Sequence, residues 1–192
     1  MRVAILAGGR GKRIGMEKTE VVLLGKKLIE IAVEKCRSFD YAIVCRDEEQ
    51  AEKLEVYGRV LVDEYKNFGV LAGLYTAIKR LGSCVVFAVD MPFVKPEVLM
   101  EIWKKAEELK CDALVPIKKF PEPLLAFYSS TLVKVLERAI LCGEKRILNA
   151  LRGKVVFYPS EYLKKIDPDL LSFFNINTLE DLKLAEEICR KL

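Results

Sequence analysis

From Ile5 to Lys18 the chain reads ILAGGRGKRIGMEK, which packs Gly8, Gly9, Gly11 and Gly15 together with Arg10, Lys12, Arg13 and Lys18. Glycine lets backbone N–H groups come close to oxyanions, and the four cations add formal charge. Together they suit the polyanionic tail of a nucleoside triphosphate. A second reactive position is Asp90, which ends the most apolar run of the chain, Val85 to Val89, two residues before Pro92. A carboxylate there reaches a strand end, where a hard cation such as Mg²⁺ takes it along with water and phosphate oxygens. Asp63 stands in the same relation to the run Arg59 to Val62. The chain has no histidine. That excludes His-ligated zinc and every Ser-His or Cys-His nucleophile, and leaves carboxylates, lysines, a metal ion and positioning to do chemistry.

Two familiar phosphate loops do not fit. A P-loop needs GxxxxGK followed by Ser or Thr, but Gly11-Lys12 is followed by Arg13 and Leu6 stands where the first glycine belongs. The dinucleotide fingerprint GxGxxG started at Gly9 meets Ile14 at its third glycine. A looser GxGxxxG (Gly9, Gly11, Gly15) fits, but the loop carries more positive charge than a dinucleotide pyrophosphate on a helix N-terminus requires.

Alternating strands and helices must hold these residues. Strand runs are read at Val3 to Leu6, Tyr41 to Cys45, Arg59 to Val62, Cys84 to Val89 and Asp112 to Pro116, most of them apolar on both faces, as in a parallel sheet covered on both sides. Helical patterns lie between. Lys27 to Arg37 puts Leu28, Ile31, Ala32 and Lys35 on one side with Cys36 beside them, and Val70 to Leu81 carries Leu71, Leu74, Tyr75 and Ile78. A further helix opens at Pro96 and runs to about Leu109, and Asn177-Thr178-Leu179-Glu180-Asp181 reads as a cap on a helix that runs almost to Leu192. Pro121 and Pro123 before Leu124 to Tyr128 suggest an extended insertion with an antiparallel strand. The expected fold is a three-layer α/β/α sandwich: a Rossmann-like, doubly wound, mostly parallel sheet with at least one antiparallel strand. The chain, residues 1–192, is expected to form a single domain, with its ligand beyond the carboxyl ends of the strands.

Composition narrows the setting. A net charge of +4 is too small to argue for nucleic acid, and no apolar run approaches the roughly 20 residues that span a bilayer. The apolar N-terminus stops at Gly8 and is followed by basic residues, the reverse of a signal peptide, so a cytoplasmic protein is expected. Six cysteines without a CxxC pair read mostly as reduced core residues.

Leu6-Ala7-Gly8-Gly9 through Arg13-Ile14-Gly15-Met16-Glu17-Lys18 resembles the signature loop of nucleotidyltransferases with a nucleotide-diphospho-sugar-transferase fold, and within that superfamily the chain is most similar to molybdenum-cofactor guanylyltransferases. Leu24 to Ile29, Gly69-Val70-Leu71-Ala72-Gly73, Asp90-Met91-Pro92, Gly143-Glu144-Lys145-Arg146 and Phe174-Asn175-Ile176-Asn177-Thr178 follow in the family's order. The resemblance implies Mg²⁺-dependent transfer of GMP from GTP to the phosphate of molybdenum-bound molybdopterin, with release of pyrophosphate. LAGG rather than LAAG implies guanine. It implies Lys18, Arg13 and Asp90 as catalytic residues, with Asp90 on the metal, and nucleotide contacts from Leu6, Ala7, Gly8, Gly9, Lys18, Asp63, Gly69 and Asp90. It gives the acceptor's phosphate to Lys145 and Arg146, with a solvated helix turn as the other reading, and has Asn175 and Asn177 bind the acceptor or complete the metal region, with capping of the last helix as the other reading of Asn177. Partners implied are GTP, a molybdopterin-type acceptor, and molybdoenzyme chaperones or cofactor-synthesis proteins. Alternatives are a guanylyltransferase for cobinamide phosphate or a sugar phosphate, a non-catalytic GTP-binding regulatory protein and, more distantly, an NAD(P)-dependent reductase. The chain departs from the family pattern at Glu17 (usually Asp), at Thr19-Glu20, at Cys45 (often Asn), and at Gly69-Val70, which lacks the usual proline.

Overall fold

The computed structural model describes residues 1–9 and 14–191. In chain order its elements are β1 (Arg2–Leu6), a short hairpin of β2 (Val22–Leu23) and β3 (Lys26–Lys27), α1 (Leu28–Cys36), β4 (Asp40–Cys45), α2 (Glu48–Leu54), β5 (Val60–Val62), α3 (Val70–Leu81), β6 (Cys84–Ala88), α4 (Pro96–Leu109), β7 (Ala113–Ile117), β8 (Leu125–Tyr128), α5 (Val133–Leu141), α6 (Ile147–Ala150), β9 (Val155–Pro159) and α7 (Leu179–Cys189). Seven strands form one sheet in the order β5-β4-β1-β6-β8-β7-β9. The strands run parallel except β8, which is antiparallel to both β6 and β7. A connection as short as the one from β7 to β8 can only return the chain antiparallel. This is the expected sandwich, with its antiparallel strand in the expected insertion.

The period-two alternation of the central strands divides the core in two. Val3 and Ile5 of β1, with Val85 and Phe87 of β6, face a layer that includes Leu28 and Ala32 of α1, Val98 and Ile102 of α4 and Ala185 of α7. Ala4 and Leu6, with Cys84 and Val86, face Leu71, Tyr75 and Ile78 of α3 and Leu136 and Ile140 of α5. Every residue of β6 is buried. A fully buried Phe87 is worth about 1.5–3 kcal/mol over an exposed one, so the strand that delivers Asp90 is held firmly.

Several elements differ from their expected form. The inward face of α1 is Leu28, Ile29, Ala32 and Cys36, while Ile31 and Lys35 are only half buried. The rotation brings the two most apolar adjacent residues, Leu28 and Ile29, under the sheet. Helix α2 escapes the apolar-periodicity reading because it buries only Gln50, Ala51 and Leu54; the Asp47 side chain caps it by accepting from Gln50 N–H at 2.9 Å. Strand β9 lies at the sheet edge with only Tyr158 buried. The cap of α7 is Thr178, whose hydroxyl accepts from Asp181 N–H at 3.2 Å while Asp181 reaches back to Thr178 N–H at 2.9 Å.

From β1 the chain winds outward through β4 to β5, and α3 then carries it back so that β6 lies on the other side of β1. Strand order therefore reverses at the carboxyl ends of β1 and β6, where side chains from both windings converge.

Candidate active site

A crevice of about 630 Å³ opens at those strand ends. Its lining includes Leu6, Gly8, Gly9, Lys18, Asp63, Gly69 and Asp90 of the residues expected from sequence, together with Val44, Arg46, Tyr65, Lys66, Gly73 and Leu124. The backbone fixes its floor: Ala7 N–H donates to Val44 O at 2.8 Å, and Val89 N–H to Leu6 O at 3.1 Å. Gly8 lies beside Arg46 and Gly9 beside the Lys18 stem: an added Cβ would reach ordinary contact, 3.5 Å from Arg46 Cβ and 3.4 Å from Lys18 Cδ.

Lys18 and Asp90 meet across the crevice. The ammonium forms an ion pair with Asp90 Oδ2 and donates to Asn177 Oδ1 at 2.8 Å. Asp90 is 5% exposed, and its second oxygen, Oδ1, is buried with no hydrogen-bond partner among the described residues. A buried carboxylate oxygen without a donor is costly, so the site is built to receive one or to receive a cation. The carbonyl of Asp90 is also engaged, accepting from Ile176 N–H at 2.9 Å.

The unusual residues around Lys18 have structural partners. Glu17 pairs with Arg46 Nη2, and Gln50 Nε2 lies 3.5 Å from its other oxygen. Gln50, the single glutamine of the chain, also donates to Ala7 O at 3.0 Å and accepts from Arg46 N–H at 3.1 Å. The glycine loop is thereby tied to the start of α2. Glutamate spans this distance with one methylene more than an aspartate has. Thr19 is buried, Glu20 pairs with Lys27 at 2.7 Å, and Cys45 lies buried at the end of β4 with its thiol directed at Asp47 O, 3.4 Å away. These departures are packing and pairing choices around the crevice that leave Lys18 and Asp90 in place.

Asp63 follows β5, its N–H donating to Cys45 O at 2.8 Å. Its Oδ1 is buried and without a partner among the described residues. Burial, with the Asp47 charge adding, pushes its carboxyl up to about 7. Gly73 keeps the space beside it open: a Cβ there would lie 3.6 Å from both Asp63 Oδ1 and Leu6 Cδ2 and 3.8 Å from Val44 Cγ1. Gly69 opens α3 at φ +57°, a left-handed conformation that side chains rarely adopt.

Other expected residues stand elsewhere. Arg13 lies outside the described residues. Ala7 does not line the crevice; it supports the floor through its two backbone groups. Asn175 is set back from the opening, donating to Phe173 O at 3.2 Å, with Glu122 Oε2 at 3.5 Å. Lys145 and Arg146 are exposed in the turn after α5, with both N–H groups on Glu144 Oε1 at 2.8 Å, and neither lines the crevice. Sequence reasoning missed Arg46, Gln50 and Lys66, and also Glu122, whose carboxyl is pushed up by burial and by the nearby Asp90. Only Glu122 carried a signal, its place between Pro121 and Pro123.

Among the described residues no group of three or more His, Cys, Asp or Glu is arranged to hold a metal. One carboxylate with a free oxygen nevertheless fits Mg²⁺, which commonly binds through one or two carboxylates and the substrate's own phosphates. All six cysteines are unpaired, and no helix among the described residues is long and apolar enough to cross a membrane.

This strand-end crevice, with a glycine loop, a lysine and a buried carboxylate, has counterparts in known proteins. Residues 3–155 match the model of the MobA-like NTP transferase domain. A probable molybdenum cofactor guanylyltransferase of Thermococcus kodakarensis is 36% identical over 185 residues, covering 94% of this chain and 91% of that protein. Another, from Thermococcus gammatolerans, is 39% identical and covers 93% of this chain and 95% of the relative. The crystal structure of molybdopterin-guanine dinucleotide biosynthesis protein A from Archaeoglobus fulgidus is 55% identical, with a TM-score of 0.96 and full coverage of both chains. A 4-diphosphocytidyl-2C-methyl-D-erythritol synthase structure from Anaerococcus prevotii shares the fold at a TM-score of 0.69 with 16% identity. Fold, site and relatives together define a nucleotidyltransferase. The chain belongs to the MobA-like NTP transferase family.

Proposed function

We propose that the protein transfers GMP from GTP to the phosphate of molybdenum-bound molybdopterin and releases pyrophosphate. The observation that carries this reading is the meeting of Lys18 with Asp90 at the strand-end crevice, with Asp90 Oδ1 left free. The names of the relatives support the choice of GTP and of a molybdopterin acceptor.

In the reaction an oxygen of the acceptor phosphate forms a bond to the α-phosphorus of GTP. The bond from that phosphorus to the bridging oxygen breaks, and its electron pair leaves with pyrophosphate. An acceptor phosphate is already ionised near neutral pH, so no general base is needed, in keeping with a histidine-free chain. Asp90 would hold a Mg²⁺ ion, which supplies positive charge to the phosphate oxygens. Lys18 places its ammonium where negative charge grows as pyrophosphate departs, and Arg13 is assigned to the same charge. Gly8 and Gly9 let the backbone approach the triphosphate, and Asp63 Oδ1 accepts from a donor on the nucleoside. The six unpaired cysteines favour a reducing compartment, and we place the protein in the cytoplasm.

The test is a pyrophosphate-release assay with GTP, CTP and ATP against molybdopterin, a cobinamide phosphate and a sugar phosphate. Release with GTP and molybdopterin, with label passing from [α-³²P]GTP to the pterin, is the expected result. Turnover only with another acceptor or nucleotide would replace this substrate assignment.

A further inference from the structure

We propose that Asn177 is a positioning residue: its Oδ1 keeps the Lys18 ammonium on the phosphate side of the crevice once a divalent cation on Asp90 Oδ1 weakens the pairing of Lys18 with Oδ2. This rests on the metal role of Asp90 given above and assigns Asn177 to the lysine rather than to the acceptor.

The side chain of Lys18 has two acceptors, Asp90 Oδ2 and Asn177 Oδ1. A cation on Asp90 Oδ1 and the ammonium of Lys18 on Oδ2 share one carboxylate, and like charges repel at such separations. Loading the site therefore weakens the ion pair that holds the lysine just when it must neutralise the triphosphate. A freed lysine has a flexible four-carbon stem and a strongly hydrated head, so it would swing into water. The amide oxygen of Asn177 is the acceptor that remains.

Asn177 is well placed to act as a fixed post. Ile176 is fully buried, and its N–H is bonded to the carbonyl of Asp90 at 2.9 Å. The N–H groups of Asn177 and Thr178 both donate to Asp181 Oδ2 at 2.9 Å, which locks the turn into α7. Phe174 packs edge-on against Phe93 with ring centres 5.6 Å apart. The segment 174–178 is thus joined to the Asp90 loop on both sides of Asn177, so the backbone that carries this amide is held beside Asp90.

The test follows the lysine directly. Lysine ammonium groups are observed by ¹H–¹⁵N NMR in protein labelled at lysine Nζ, with Mg²⁺ and a non-hydrolysable GTP analogue, and the Lys18 signal is assigned by its absence from Lys18→Met. The wild type and Asn177→Asp, which keeps an acceptor oxygen, are expected to show a slowly exchanging Lys18 ammonium. Asn177→Ala is expected to lose it. In parallel, Asn177→Ala should lower kcat by about 10- to 100-fold with the acceptor KM within about 2-fold of wild type, and Asn177→Asp should recover most of the loss. A raised acceptor KM in Asn177→Ala, with kcat and the Lys18 signal intact, would return Asn177 to acceptor binding and overturn the proposal. Failure of the underlying metal reading looks different: the Lys18 signal would not respond to Mg²⁺ and nucleotide whatever stands at 177, which overturns both.

Discussion

On one side of the crevice Gly8, Asp63 and Gly69 each sit just after a parallel strand or at the first turn of the helix that follows it, within the run β1, β4, β5; on the other, Asp90 and Lys18 are completed by Asn177 from the segment before the last helix. The first side is made by local β–α geometry. Each residue is placed by its own strand end, and the cavity exists because glycines leave it open. The second is made by long-range docking, with Ile176 bonded to the Asp90 carbonyl and the antiparallel β8 bringing Leu124 to the rim. The contrast separates two kinds of failure. Changes on the local side should weaken nucleotide binding, and changes on the docked side should slow transfer with binding retained.

The largest break is expected at Asp90. Asp90→Ala should reduce pyrophosphate release by at least about 10²–10³-fold, with circular dichroism and the melting transition showing an intact fold. Retained turnover would remove the metal role. Lys18→Met should cost about 10²-fold in kcat with a smaller change in GTP affinity, measured by steady-state kinetics and calorimetry. If GTP KM alone changes, the lysine belongs with the binding side.

Asp63 sharpens the binding side. Its carboxyl ordinarily titrates near 3.8 and here near 7, so it is protonated below neutral pH in the free protein and ionised above it. A nucleoside donor favours the ionised form, so GTP affinity should rise as pH increases through about 7. The same shift makes this group's contribution to folding fall from about pH 3.8 to about 7, because the unfolded carboxyl ionises first. Asp63→Asn should weaken GTP by about 10-fold above neutral pH and flatten the pH dependence, as read by calorimetry. Glu17→Ala removes a partly exposed ion pair with Arg46 and should raise GTP KM by about 2- to 5-fold. The smallest effect is expected from Lys145→Ala with Arg146→Ala: both are exposed and off the crevice, and GTP KM should stay within about 2-fold of wild type.

The same contrast explains what could be read from the sequence. The strands around β1 and β6 are apolar on both faces, and helices α3 and α4 carry regular apolar spacing, so the layered fold was legible. Glycines after a buried strand and an aspartate at the end of another marked the crevice for the same reason: they are local signals. The pairing of Glu17 with Arg46, the link from Gln50 to Ala7 and the reach of Asn177 to Lys18 join positions distant in sequence. Nothing in their spacing announces them. Lys145 and Arg146, which the resemblance gives to the acceptor, stand exposed in a turn outside this crevice.

Where a triphosphate binds is measured directly by a crystal structure with Mg²⁺ and a non-hydrolysable GTP analogue. The expected density has the phosphates between the Gly8–Gly9 loop and Lys18, the metal on Asp90 and the nucleoside against Asp63 and Gly73. Triphosphate bound away from Lys18 and Asp90, for example beside Lys145 and Arg146, would contradict it.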